Sequence, residues 1–285
     1  LKFKWKTISL TLVFLTLMTS AVLASSSNNE AIAQGDKFFK IRGRGHFNDR
    51  AVPGTITNAI NKYMEAYNGG NDSQELIIKI MHASYFYVTY ATEEKAVQKE
   101  FITKAIEIGD AGLEKYPESA GINYWLSALW GRWSKVYGRI ASSRKDVAVK
   151  IKKIAERTIE LDPSYCEGGG YRTLGRLHFK TPRIPFLLSW PRKKKALKYL
   201  NKALVEGPEN LTNHLFYAEA LIERGRRDEA RKEIVFIDNV KPHDEKIVEE
   251  LRVKLRAREV MTILNDKILP LEEQRKMNRR PGRAK

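Results

Sequence analysis

Five histidines, His46, His82, His178, His214 and His243, are scattered along the chain, and none stands in a His-Glu-x-x-His arrangement. The lone cysteine, Cys166, has no second cysteine for a disulfide or for a Cys-x-x-Cys pair. His82 falls near the apolar side of its segment, as a structural histidine would. The acidic pairs Glu249-Glu250 and Glu272-Glu273 read as solvated helix faces. The residues with a different chemistry are aromatic and cationic: Tyr124, Trp130, Arg132, Tyr165, Arg172 and Trp190. Rings give apolar area to a ligand or partner. A guanidinium grips a carboxylate or an anionic head with its planar fork. Such a set implies a binding cleft. With no nucleophile–base pair and no metal set in the sequence, neither an enzyme nor a bound cofactor is expected.

A helical frame must position these residues, and it repeats. Pro117, Pro163, Pro208 and Pro242 each follow a helical run at the same offset. Twelve residues before each proline stand Ala105, Ile151, Ala196 and Ala230. Eight before stand Gly109, Ala155, Leu200 and Ile234, and five before stand Gly112, Thr158, Ala203 and Ile237. Small residues let paired helices approach closely, and the proline ends the second helix of the pair. This is the signature of a tetratricopeptide repeat. The fold expected is an all-α solenoid of about four helix pairs, with an N-terminal helix and a C-terminal capping helix.

Gly168-Gly169-Gly170 ahead of Arg172 has two readings: backbone N–H groups that cradle an anion at a helix start, or a turn joining two repeats. The turn is the simpler. The helix from Gly121 to Ile140 carries a bulky stripe (Ile122, Trp125, Leu126, Leu129, Trp133, Val136, Ile140) and a ridge of small residues (Ser127, Gly131, Ser134, Gly138), which predicts packing on both sides. The two middle repeats are longer than the last. The second insertion, Thr181 to Pro191, holds Ile184, Phe186, Leu187 and Trp190, too apolar for a solvated loop. In the final helix Ile247, Leu251 and Leu255 are expected to face inward.

The ends read differently. Lys2, Lys4 and Lys6, the apolar run Ile8 to Met18 and Val22-Leu23-Ala24 form a secretory signal peptide over 1–24, with an uncleaved membrane anchor as the alternative. No cysteine follows the cleavage point, so lipid attachment there is not expected, and the mature chain is expected in the periplasm. Residues 25–54 read as a flexible leader, 55–270 as the repeat domain and 271–285 as a basic tail. The formal net charge is +17. A basic tail can touch nucleic acid, but an exported protein rarely meets any, so the tail is expected to be a solvated segment or to touch an anionic membrane surface or an acidic partner.

Three pieces together resemble the TatT components of tripartite (TRAP-type) periplasmic transporters. They are Tyr124-Trp125-Leu126 through Gly131-Arg132-Trp133, then Leu161-Asp162-Pro163-Ser164-Tyr165 followed by Gly168-Gly169-Gly170-Tyr171-Arg172-Thr173-Leu174-Gly175, and the proline-bounded insertion before Ala196. The resemblance implies a lobed helical protein able to form a homotrimer. It would dock a periplasmic solute-binding protein, and its cleft would hold or pass a small apolar or anionic ligand. The chain departs from that family in lacking a lipid-bearing cysteine and in having Gly170 where the glycine segment often closes with proline. The alternative function is an exported repeat scaffold for protein–protein interaction in envelope assembly.

Overall fold

The computed structural model describes residues 26–138, 145–182 and 189–266. These residues are all-α: eleven α-helices, a π turn and a 3-10 turn, with one isolated β-bridge between Phe47 and Arg50. The chain forms two compact units, Leu1–Tyr165 and Cys166–Lys285.

In the first unit, α1 (26–40) is followed by α2 (Pro53–Asn68) and α3 (Gln74–Phe86), which runs on into a π turn at Tyr87–Ala91. Then come α4 (Lys95–Lys115), α5 (Ala120–Tyr137) and α6 (Lys145–Leu161). Each helix from α2 onward packs on the next, and α3 also packs on α5. Ile56, Tyr63, Leu76, Ile80, Phe86, Ile102, Ile122 and Leu126 fill the space between them.

The segment expected as a flexible leader is instead helical over 26–40. Its inward side is made of small residues, Ala31 and Gly35, so no apolar stripe shows in the sequence. A polar tie fixes it. The Asp36 carboxylate accepts from the Tyr63 hydroxyl at 2.8 Å and from Lys79 Nζ at 2.6 Å. Burial and then the Asp36 carboxylate push the Tyr63 phenol well above its ordinary pKa.

The second unit begins in α7 (Tyr165–Lys180), continues through α8 (Lys193–Glu206), α9 (Leu211–Glu223) and α10 (Arg227–Asn239), and closes with a 3-10 turn and α11 (Ile247–Asp266). The repeat register read from the prolines holds. Helices end at Lys115, Leu161, Glu206 and Asn239, just ahead of the four prolines, and every residue at the twelve-, eight- and five-residue offsets is buried.

Two details differ from expectation. The N-terminal half of α5 is buried all round, but on its small ridge only Ser127 is sealed, while Gly131 has open space where a Cβ would go. In α11 the inward stripe is Val253, Ala257, Val260 and Leu264, and Leu255 is 45% exposed. A buried lysine hides this face in the sequence. Lys254 Nζ donates to the carbonyls of Ile237, Asp238 and Val240 at 2.7–2.8 Å. These include carbonyls from the end of α10, which have no partners within their own helix. The signal peptide (1–24), the basic tail (271–285) and Ile184, Phe186 and Leu187 of the insertion lie outside the described residues.

The tightest joint in the second unit lies at the start of α7. Cys166, Glu167 and Gly168 have φ of 53°, 57° and 76°, a left-handed turn that two of the three residue types disfavour. A Cβ on Gly168 would stand 2.9 Å from both Cα and O of Ala203 on α8, and one on Gly175 would stand 2.5 Å from the Leu200 side chain. Arg172 holds the turn by donating to the carbonyls of Cys166 and Glu167. The fully buried Asn213 joins it to α8, donating to Glu167 O at 2.9 Å, Ala203 O at 2.7 Å and Gly207 O at 3.1 Å. Gly168→Ala combines a disfavoured φ with a backbone clash. It is expected to lower the unfolding free energy by about 2 kcal/mol or more, read as a shift in the midpoint of a urea melt.

Candidate functional site

The six residues singled out from sequence divide between the units. In the first unit α5 supplies Tyr124, Trp130 and Arg132, and Tyr165 closes the segment. The structure brings Tyr124 and Tyr165 together with ring centroids 5.7 Å apart. Trp130 is not with them. Its ring packs 5.5 Å from Trp133 and lies under Lys150 Nζ of α6 at 4.5 Å. Six residues separate Tyr124 from Trp130, which turns a helix by about 240° and puts them on different sides.

What surrounds Tyr124 is a continuous ladder of rings. Phe39 meets His82 edge-on at 4.7 Å, and His82 stacks on Trp125 at 3.9 Å. Trp125 meets Tyr124 at 5.0 Å and Tyr85 at 5.7 Å. Trp125 and Tyr124 are buried, while Phe39, His82, Tyr85 and Tyr165 are partly exposed. His82 therefore serves as an aromatic plate, and no group of His, Cys, Asp or Glu among the described residues could hold a metal ion. Sequence reasoning left out Phe39 and Tyr85, because they come from helices far apart in the chain.

Arg132 stands two turns beyond Trp125 on the same side of α5. Its Nη2 donates to Val88 O in the π turn at 2.6 Å, and its Nε is buried with no hydrogen-bond partner among the described residues. Burial pulls this guanidinium below its ordinary pKa, opposed only by the Tyr85 and Tyr90 phenols. Val88 O also accepts from Gln98, so Arg132 is one of two caps on that helix end. Arg132 is thus a partly buried cation met by a carbonyl and by no carboxylate among the described residues, where an anion from outside would add to what holds it.

In the second unit Arg172 faces inward and its fork is taken by the left-handed turn and by Asn213 Oδ1 at 2.8 Å. The glycine run is thus a packing joint and not an open cradle. Trp190 meets His178 edge-on at 5.1 Å, and the Arg192 N–H donates to His178 Nδ1 at 3.2 Å. The surface that the sequence reading missed lies further along α7. Arg176 and Lys180 follow Arg172 at four-residue steps and share the Glu219 carboxylate of α9 with Arg256 of α11, at 2.5, 3.9 and 3.2 Å. Burial alone would raise the Glu219 carboxyl, but Arg176, Lys180 and Arg256 hold it below the usual carboxylate range. The signal available in the sequence was the four-residue spacing of the cations.

Residues 49–188 match the model of a family described as "Regulator of microtubule dynamics protein 1-3", and residues 194–252 match a tetratricopeptide-repeat model. No curated protein matches the chain in sequence. Among solved structures the chain is similar to TTC0263, a thermophilic tetratricopeptide-repeat protein of Thermus thermophilus. The identity is 14% and the TM-score 0.56, covering 82% of this chain and 99% of that one. It is also similar to yeast Tom70, with 13% identity and a TM-score of 0.52, covering 92% of this chain and 45% of that one. Likeness at these identities is likeness of fold. The resemblance to TatT components gains no support from these matches.

Two outcomes are expected. Arg132→Met removes one capping hydrogen bond and one desolvated charge, and should change stability by no more than about 1 kcal/mol, measured by urea melts. The stability contributed by Glu219 is present above the ordinary carboxylate pKa and is lost as pH falls through its lowered value. Between about pH 5 and about pH 3 the natural protein should therefore lose more stability than Glu219→Gln does, as read from melts across that range.

Proposed function

We propose that this chain, a tetratricopeptide-repeat protein, is a non-enzymatic exported scaffold that holds a partner protein against the ring ladder of its first unit. The observation that carries this reading is the ladder itself. Partly exposed rings run beside each other and lead to an arginine that lacks a carboxylate. Aromatic residues and arginine are the side chains enriched where proteins bind one another. Rings fixed by mutual packing also lose little conformational freedom on binding. The matched repeat model supports a role in protein–protein interaction.

Export rests on the basic, apolar and small-residue leader over 1–24. The matched family's description names microtubule dynamics. We carry over from it only the binding of a partner, because a chain with that leader is sent away from microtubules. The finer reading is an accessory component of a solute uptake system that docks a solute-binding protein and shelters a small apolar or anionic ligand, with a homotrimer as its assembly. It rests on the resemblance to TatT components and on the unmatched Arg132.

The test is purification of the chain from its own cell envelope, followed by native mass spectrometry, with Tyr85→Ala/Arg132→Ala run alongside. A partner retained by the natural protein and weakened about tenfold or more by the double variant supports the scaffold reading. A solute-binding protein as that partner selects the uptake reading, and an envelope-assembly protein selects the alternative. A partner held equally well by the variant overturns the ladder as the binding face.

A further inference from the structure

The Glu219 carboxylate is only 9% exposed, yet it faces three cations. Arg176 is the nearest and is itself sunk, its guanidinium 3.8 Å above the Phe216 ring. Lys180 and Arg256 are far more open, with side chains 58% and 46% exposed. One carboxylate can satisfy Arg176. It leaves Lys180, at 3.9 Å, with charge to spare, whereas Arg256 is paired with Glu259 at 2.6 Å as well as with Glu219. Burial and then repulsion from Arg176 push the Lys180 amine below its ordinary pKa, as expected where positive charge is in excess.

Lys180 also borders an open recess of about 400 Å³ that Arg192, Lys193, Lys194 and Arg224 line and that no carboxylate of the described residues lines. Lys193 reaches Glu223 at its edge at 3.5 Å. Arg192 to Lys195 form the start of α8, whose first turn contains no acidic residue. Cations there oppose the helix dipole, so local stability does not account for them. Residues 183–188, next to the recess in sequence, add one arginine and no acid. The chain's own tail, 271–285, carries six cations against the two acids Glu272 and Glu273, so its net charge has the same sign as the recess.

We infer that the strip from Lys180, beside Arg256, to the Arg192–Lys194 recess binds an extended acidic segment of a partner protein, with one partner carboxylate on Lys180 and others in the recess. Glu219 is the internal counter-charge that holds Arg176 in place and, at 3.9 Å, leaves the Lys180 ammonium for the ligand. Charge complementarity identifies the occupant, and the shape of the strip selects a peptide over a membrane. A bilayer is met by protruding cations, whereas here Arg176 lies over a ring and Arg192, Lys193, Lys194 and Arg224 line a recess. The strip lies wholly in the second unit and is independent of the ring ladder.

The probe is a labelled oligo-glutamate peptide, titrated with the full chain and followed by fluorescence anisotropy. Oligo-lysine and vesicles of phosphatidylglycerol in phosphatidylcholine serve as comparisons. The peptide should bind, weaken steadily as salt rises, and lose about tenfold in affinity in Lys180→Ala/Arg256→Ala. Lys193→Ala/Lys194→Ala, which leaves the Glu219 cluster intact, should also weaken it. Glu219→Gln should bind more tightly, because a competing negative charge is gone. Lys37→Ala/Lys40→Ala, on α1 of the first unit, should bind as the natural protein does. Circular dichroism establishes that each variant is folded. No peptide binding at low salt overturns the proposal. So does binding that neither strip variant weakens, or vesicle binding that the strip variants abolish while the peptide fails to bind.

Discussion

Close approach of helices is the constraint on which the second unit depends, and the Asn213 side chain shows how it is met. The amide is completely buried, yet it donates to carbonyls from α7, α8 and the turn after α8, and accepts from Arg172. It can do so only because Gly168 lets the α7 backbone come within contact of Ala203. The left-handed turn at Cys166 and Glu167 is the strain that this approach requires. Arg172 and Asn213 over-determine the turn, which is how such backbone persists. The same hydrogen bonds explain why Arg172, although a cation beside glycines, has no fork left for a ligand.

The remaining arginines behave differently because their surroundings differ. Arg176 has a carboxylate at 2.5 Å and a ring beneath it, and it is part of the fold. Arg132 has a carbonyl, two phenols nearby and no acid among the described residues. A guanidinium of that kind contributes less to stability than its burial costs, so the case for a binding role rests on a desolvated charge left uncompensated. The ring ladder beside it supplies apolar area, and His82 contributes its ring to it between Phe39 and Trp125.

Charge in the second unit is arranged rather than merely abundant. Three cations converge on Glu219, and a further group lines a recess without acids. A neutral or mixed arrangement would favour folding equally well or better, since like charges brought together oppose compaction. The fold tolerates the excess because Glu219 neutralises its most buried member, and solvent screens the more exposed ones.

The amino-acid sequence by itself determined the repeat. Small and apolar residues at fixed offsets from Pro117, Pro163, Pro208 and Pro242 are local facts, and helix ends and buried faces follow from periods of 3.6 residues. It also placed Tyr124, Trp125, Trp130 and Arg132 on one helix. Only the tertiary structure decided which of them meet. Phe39, His82 and Trp125 form one ladder although they come from three helices, and Trp130 leaves Tyr124 because the helix turns it away. α1 reads as a leader because small residues and the half-exposed Asp36 carboxylate hold it, and neither leaves a hydrophobic pattern. In α11, Lys254 occupies a buried face because its ammonium finds three carbonyls at the end of another helix. Long-range polar contacts of this kind carry no periodicity, so they become visible only when the chain has folded.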